Sequence, residues 1–157
     1  MTRAACTIVA KNYLAQARVL ARSFVRHHPH ARLFVLLVVE PEGRVDPAQE
    51  PFELVRLEQL RLPDLRRLLF QYSVLGLCTA VKPALLRWLI EERGATELLY
   101  LDPDIEVLDR LDPVFEALHT HAIAHTPHIT SPVDADLLPD ERSFLRGGAY
   151  NLGFIGL

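Results

Sequence analysis

The sequence predicts an α/β domain, with a mostly parallel, Rossmann-like sheet flanked by helices. Three observations predict it. Apolar runs at 5–9, 33–39 and 98–101 lack the polar alternation of half-exposed strands, as expected for strands covered on both faces. Segments of helical periodicity separate these runs, so strands and helices alternate along the chain. The 157 residues, 50% of them hydrophobic by type, are enough for one domain with a sizeable core rather than a disordered chain. Residues 1–157 are therefore read as a single domain, with no internal boundary or repeat.

The elements follow in order. Ala5-Cys6-Thr7-Ile8-Val9 is the first buried strand. Asn12-Tyr13 leads into a helix from Leu14 to about His27, stopped by Pro29. Leu33 to Val39 is the second strand. Glu40 to Pro51 is rich in proline, glycine and charge and reads as a loop, and Phe52 to Leu57 is a short alternating strand. Leu60 to Arg93 is mostly helical. Pro83 divides it, because proline suits the first turn of a helix and not its interior. The second helix, Ala84 to Arg93, ends at Gly94 as C-cap. Leu98 to Leu101 is a buried strand that runs directly into Asp102-Pro103-Asp104, and Ile105 to Leu108 continues as an extended piece. Asp112 caps a helix to Leu118, with Pro113 at its first position. Ala122 to Ala124 is a strand, Thr126 to Asp140 a polar loop, and Tyr150 to Leu157 a last strand. An ending on an apolar strand is expected either of the last strand of the sheet or of a domain truncated at its C-terminus, and truncation is the expectation for this chain.

Composition excludes several function classes. Net charge is −3, and no stretch interleaves arginine with aromatics, so no nucleic-acid groove is expected. Arg61, Arg66 and Arg67 form the densest basic group and read as a solvated helix face. Cys6 and Cys78 give neither a disulfide framework nor zinc spacing. No apolar run is long enough for a transmembrane segment. The N-terminus lacks a signal-peptide pattern, which points to the cytoplasm. Of the 17 Lys and Arg residues only Lys11 and Lys82 are lysine, which marks those two as places where a compact ammonium is wanted.

Ligands of parallel α/β sheets bind beyond the carboxyl ends of the strands. Three candidates fall there: Lys11-Asn12-Tyr13, Asp102-Pro103-Asp104 and the loop after Ala124. Asp102 and Asp104 are the chemically pointed pair. Two carboxylates one residue apart at a strand's end can both reach one hard divalent cation, Mn²⁺ or Mg²⁺, and Pro103 stiffens the turn between them. The chain holds its own comparison. Leu101-Asp102-Pro103 recurs as Leu111-Asp112-Pro113, where a helix follows and the Asp has a capping role. The first copy has no following helix and carries a second Asp.

Thr7-Ile8-Val9-Ala10-Lys11-Asn12-Tyr13, the helix segment Arg18 to Phe24, Thr79-Ala80-Val81-Lys82-Pro83-Ala84-Leu85-Leu86, Leu99 to Leu108 and Tyr150-Asn151-Leu152-Gly153-Phe154 occur in that order. Together they resemble the front part of GT-A-type nucleotide-sugar glycosyltransferases of the glycogenin and bacterial lipopolysaccharide galactosyltransferase group. The resemblance spans nearly the whole chain and implies a metal-dependent glycosyltransferase. Its donor would be a nucleotide-diphosphate sugar, UDP-sugars first, and its acceptor a saccharide or glycoconjugate. Position by position, it places Asn12 and Tyr13 against the base and Lys82 near the diphosphate or the donor sugar. Asp102 and Asp104 would hold the metal, and Asn151 and Gly153 would face the donor sugar. That group's domain continues further and supplies another metal ligand, commonly histidine. His125 and His128 are the first of this chain's histidines to check, whereas His27, His28 and His30 read as solvated loop residues. No residue is placed by sequence as a nucleophile. Two other readings stand beside this one: a non-catalytic fragment that binds nucleotide-sugar or metal, and a haloacid-dehalogenase-like phosphatase using Asp102 as nucleophile and Asp104 as general acid/base.

Overall fold

A computed structural model describes residues 2–39, 43, 45–131 and 141–157. Residues 40–42, 44 and 132–140, which the sequence assigns to loops, lie outside the described residues. The described strands are β1 (Arg3–Val9), β2 (Arg32–Leu37), β3 (Glu53–Arg56), β4 (Glu97–Leu101), β5 (Ala124–Pro127) and β6 (Tyr150–Gly156). They form one sheet in the order β3-β2-β1-β4-β6-β5. The first four are parallel, while β6 is antiparallel to both β4 and β5. The described helices are α1 (Leu14–His27), α2 (Leu65–Gln71), α3 (Val74–Glu91), α4 (Asp112–Leu118) and α5 (Glu141–Gly147). None of the described helices is long and apolar enough to cross a membrane.

The unbroken apolar runs have the expected cause. Alternate residues of each strand point to opposite faces, and both faces are covered. Cys6, Ile8, Phe34, Leu36, Leu98 and Tyr100 pack against Leu77, Val81, Leu85 and Leu89 of α3. Ala5, Val9, Val35, Leu37, Leu99 and Leu101 pack against Leu14, Ala17, Leu20 and Phe24 of α1 and Phe115 of α4. The period of two therefore puts Tyr100 on the α3 side of the sheet.

Several boundaries differ from the sequence expectation. Helix α3 begins nine residues before Lys82, at the N-cap Ser73, whose Oγ accepts from the Gly76 N–H at 3.2 Å. It runs unbroken through Pro83, so the proline does not start a helix and Lys82 is a mid-helix residue. Packing of Leu77, Val81, Leu85 and Leu89 into the core outweighs the local preference. Asp112 is the first residue of α4 rather than its cap, and its carboxylate is taken by Arg3 at 2.6 Å and by Arg110 at 2.5 Å. The strand expected at 122–124 lies at Ala124–Pro127, the 105–108 piece is irregular, and α5 was not anticipated. His28 is buried rather than solvated: its Nε2 accepts from the Leu111 N–H at 2.9 Å, between the rings of Phe24 and Phe115.

Candidate functional site

The chain leaves β1 for β2 on one side, then crosses from β3 to β4 on the other. The C-terminal ends of β1 and β4 thus flank a topological switch point, where connections diverge and leave a crevice. A cleft of about 770 Å³ opens there. Asn12 and Tyr13 line it from the turn after β1, and Asp102 and Asp104 from the turn after β4. Lys82 reaches it from α3. Gly153 arrives from β6, because pairing Leu101 with Phe154 in antiparallel register sets the start of β6 beside the end of β4.

Side chains and main chain interlock at the cleft floor. The Tyr100 hydroxyl donates to Asp102 Oδ1 at 2.9 Å. Burial, followed by the charge of Asp102, pushes the Tyr100 hydroxyl far above the usual tyrosine range, so it keeps its proton to donate. The Asp102 N–H donates to the Gly153 carbonyl at 2.8 Å. A Cβ added at Gly153 would sit 2.7 Å from Asp102 Oδ2 and 2.9 Å from Asn151 Oδ1, so only glycine admits this approach. Asn151 lies outside the cleft lining, and its Oδ1 accepts the Gly153 N–H at 2.9 Å. Lys82 Nζ donates to the Leu152 carbonyl at 2.9 Å and lies 3.8 Å from the centre of the Tyr100 ring, a cation–π contact. Burial lowers the Lys82 pKa from its usual range, with Asp102 pulling the other way. A half-buried cation thus sits beside an acidic pair, with apolar walls from Ile8, Val74, Leu75 and Leu86.

Of the residues singled out in the sequence, Asn12, Tyr13, Lys82, Asp102, Asp104 and Gly153 meet in this cleft. Of the third candidate loop, after Ala124, none of the described residues lines the cleft. His125 makes a tilted ring contact with Tyr150, while His128 hydrogen-bonds the Gly148 carbonyl through Nδ1 and makes a tilted ring contact with Phe144. Among the described residues no group of three His, Cys, Asp or Glu gathers to hold a metal. Sequence reasoning missed Tyr100 and the Leu152 carbonyl. A tyrosine in a run of buried aliphatics was the available signal, since a buried phenol needs a hydrogen-bond partner.

A six-stranded mixed sheet flanked by helices, with a cleft at its switch point, defines an α/β domain of Rossmann-like type. More particularly, the fold is that of GT-A glycosyltransferases. The galactosyltransferase LgtC, solved with donor and acceptor sugar analogues, superposes with a TM-score of 0.61 at 18% identity, over 98% of this chain and 57% of its own. Mouse xyloside xylosyltransferase 1 does so with a TM-score of 0.53 at 15% identity, over 100% of this chain and 67% of its own. The core-mannan synthase CmsA of Aspergillus fumigatus, in its Mn/GDP form, gives 0.50 at 10% identity, over 99% of this chain and 59% of its own. This chain thus spans a little over half the length of LgtC. No protein-family model matches the sequence, and no curated protein does.

Proposed function

We propose that this chain carries the donor site of a metal-dependent glycosyltransferase, which moves a sugar from a nucleotide-diphosphate sugar to a saccharide or glycoconjugate. The observation that carries the proposal is the convergence of Asn12, Tyr13, Lys82, Asp102, Asp104 and Gly153 on one cleft, in a GT-A fold. These residues come from four separate elements, so their meeting is a property of the topology rather than of one local motif.

The exposed Tyr13 ring offers a stacking surface for a nucleobase, and Asn12 beside it can hydrogen-bond a base edge. Lys82 presents an ammonium that draws a diphosphate to the cleft wall. The apolar walls exclude water from the diphosphate and so strengthen that attraction. Gly153, with Asn151 bracing its N–H, keeps the main chain low enough for a sugar to approach.

The donor set at the end of β4 fits a hard divalent cation. Asp102 and Asp104 offer carboxylate oxygens only, and Gly153 itself adds no side chain against Asp102 Oδ2. When bound, Mn²⁺ or Mg²⁺ would neutralise charge on the diphosphate and on the departing nucleoside diphosphate. The Mn/GDP form of CmsA supports this choice of cation.

Calorimetric titration of UDP-sugars and GDP-sugars, with and without Mn²⁺, tests the proposal. Metal-dependent binding is expected, with UDP-sugars the first to try. Absence of binding to any nucleotide-sugar would overturn it. Phosphate release from simple phosphomonoesters, lost in Asp102→Asn, would favour the phosphatase. Metal-dependent binding without transfer to any saccharide would keep the donor site and remove the enzyme.

A further inference from the structure

Helix α3 turns one stripe toward the cleft. Leu75, Cys78, Thr79, Lys82, Pro83 and Leu86 all line it, a spacing of threes and fours that keeps them on one helix face. Pro83 is near the centre of that stripe, inside an unbroken helix. A helix-interior proline has no N–H for the carbonyl four residues back, and its ring crowds that carbonyl. Here the carbonyl belongs to Thr79. Intrahelical bonds join each carbonyl to the amide four positions on, so this carbonyl lies on the row from Thr79 to Pro83, which is the cleft row. Thr79 and Pro83 both line the cleft, so this main-chain acceptor, deprived of its regular amide donor, belongs to the helix face turned toward the cavity.

The placement is costly, which is what gives it meaning. Proline is the least favourable residue in a helix interior. The adjoining face of α3 buries Leu77, Val81, Leu85 and Leu89, and that packing carries the defect. An alanine at 83 would fit the helix better and close the bond.

We propose that the Thr79 main-chain carbonyl is a ligand-binding group, which accepts a hydrogen bond from a hydroxyl or N–H of the molecule in the cleft, and that Pro83 keeps it free. This rests on the cleft being a nucleotide-sugar site. The donor group then belongs either to the transferred sugar or to the nucleoside, and the two are separable by experiment.

The test is Pro83→Ala, with three readouts on the full chain. The first is hydrogen exchange of the new amide at position 83 in the absence of ligand; protection shows that the Thr79 carbonyl has taken it. The second is Tm, which should rise. The third is affinity for UDP and for UDP-glucose in Mn²⁺, which should fall roughly three- to tenfold, the size of one hydrogen bond. An equal loss with UDP and with UDP-glucose assigns the bond to the nucleoside, and a loss confined to UDP-glucose assigns it to the sugar. Stability and affinity thus move in opposite directions, whereas a purely structural proline would move them together or leave affinity alone. An unprotected amide, or a protected amide with unchanged affinity, overturns the inference. Failure of the unaltered chain to bind any nucleotide-sugar is a different result: it overturns the reading of the cleft and this inference with it.

Discussion

The Tyr100 hydroxyl donates to Oδ1 of Asp102 across 2.9 Å, from a ring that is only 3% exposed and that carries the Lys82 ammonium over one face. This bond fixes the Asp102 carboxylate before any ligand arrives and turns Oδ2 toward Gly153. Tyr100→Phe removes the bond and keeps the ring. We expect Mn²⁺-dependent nucleotide affinity to fall roughly tenfold, the size of one hydrogen bond to a charged group, with little change in Tm. Calorimetric titration beside a thermal melt checks both, and unchanged affinity would contradict the positioning role.

Gly153→Ala should act on the same carboxylate from the other side. Its Cβ would meet Asp102 Oδ2 at 2.7 Å, a distance at which something must shift. The yielding atoms are the ends of Asp102 and Asn151, so the sheet survives and the donor set does not. The expected outcome is a Tm within a few degrees of the unaltered chain, with metal-dependent nucleotide binding lost. A large drop in Tm would instead make Gly153 a folding residue.

His28 gives a pH dependence away from the cleft. Burial lowers its pKa, and Arg110, Arg3 and His27 add to this while Asp112 opposes it. Its Nε2 must be unprotonated to accept the Leu111 N–H. The unfolded chain takes up that proton near the ordinary histidine value, about 6.5. Below it the unfolded state binds more protons than the folded one, so stability present at neutral pH is lost as pH falls. Thermal melts between pH 7.5 and 5.5 should show Tm declining in the unaltered chain. In His28→Gln, which keeps an acceptor but does not titrate, the decline should be shallower; equal slopes would contradict the assignment.

Much of this was legible in residues alone. Runs such as 5–9 and 98–101 read as strands because burial on both faces leaves no polar alternation, and Pro29 marks a helix end by backbone preference; Gly94, expected as C-cap, lies two residues beyond the observed cap Glu92. The Asp102-Asp104 pair was visible because its chemistry is carried by side chains two positions apart. Pro83 misled, because a local preference was overridden by the packing of α3, which only the tertiary structure contains. The bond from Lys82 to Leu152 was out of reach: its partners lie 70 residues apart and meet through β6 running antiparallel to β4. Asp112 reversed its expected role because Arg3, distant in sequence, claims its carboxylate; with Arg110 it holds the Asp112 pKa at about 2.

The central claim is that the acidic pair after β4 holds a cation that nucleotide binding requires. The direct measurement is calorimetric titration of UDP into the unaltered chain and into Asp104→Asn, each with and without Mn²⁺. Asp104 is exposed at the cleft rim, so the substitution should leave Tm unchanged. The account predicts that UDP binds the unaltered chain only with Mn²⁺, and that Asp104→Asn abolishes this metal-dependent binding. Equal affinity of Asp104→Asn and the unaltered chain for UDP in Mn²⁺ would contradict it.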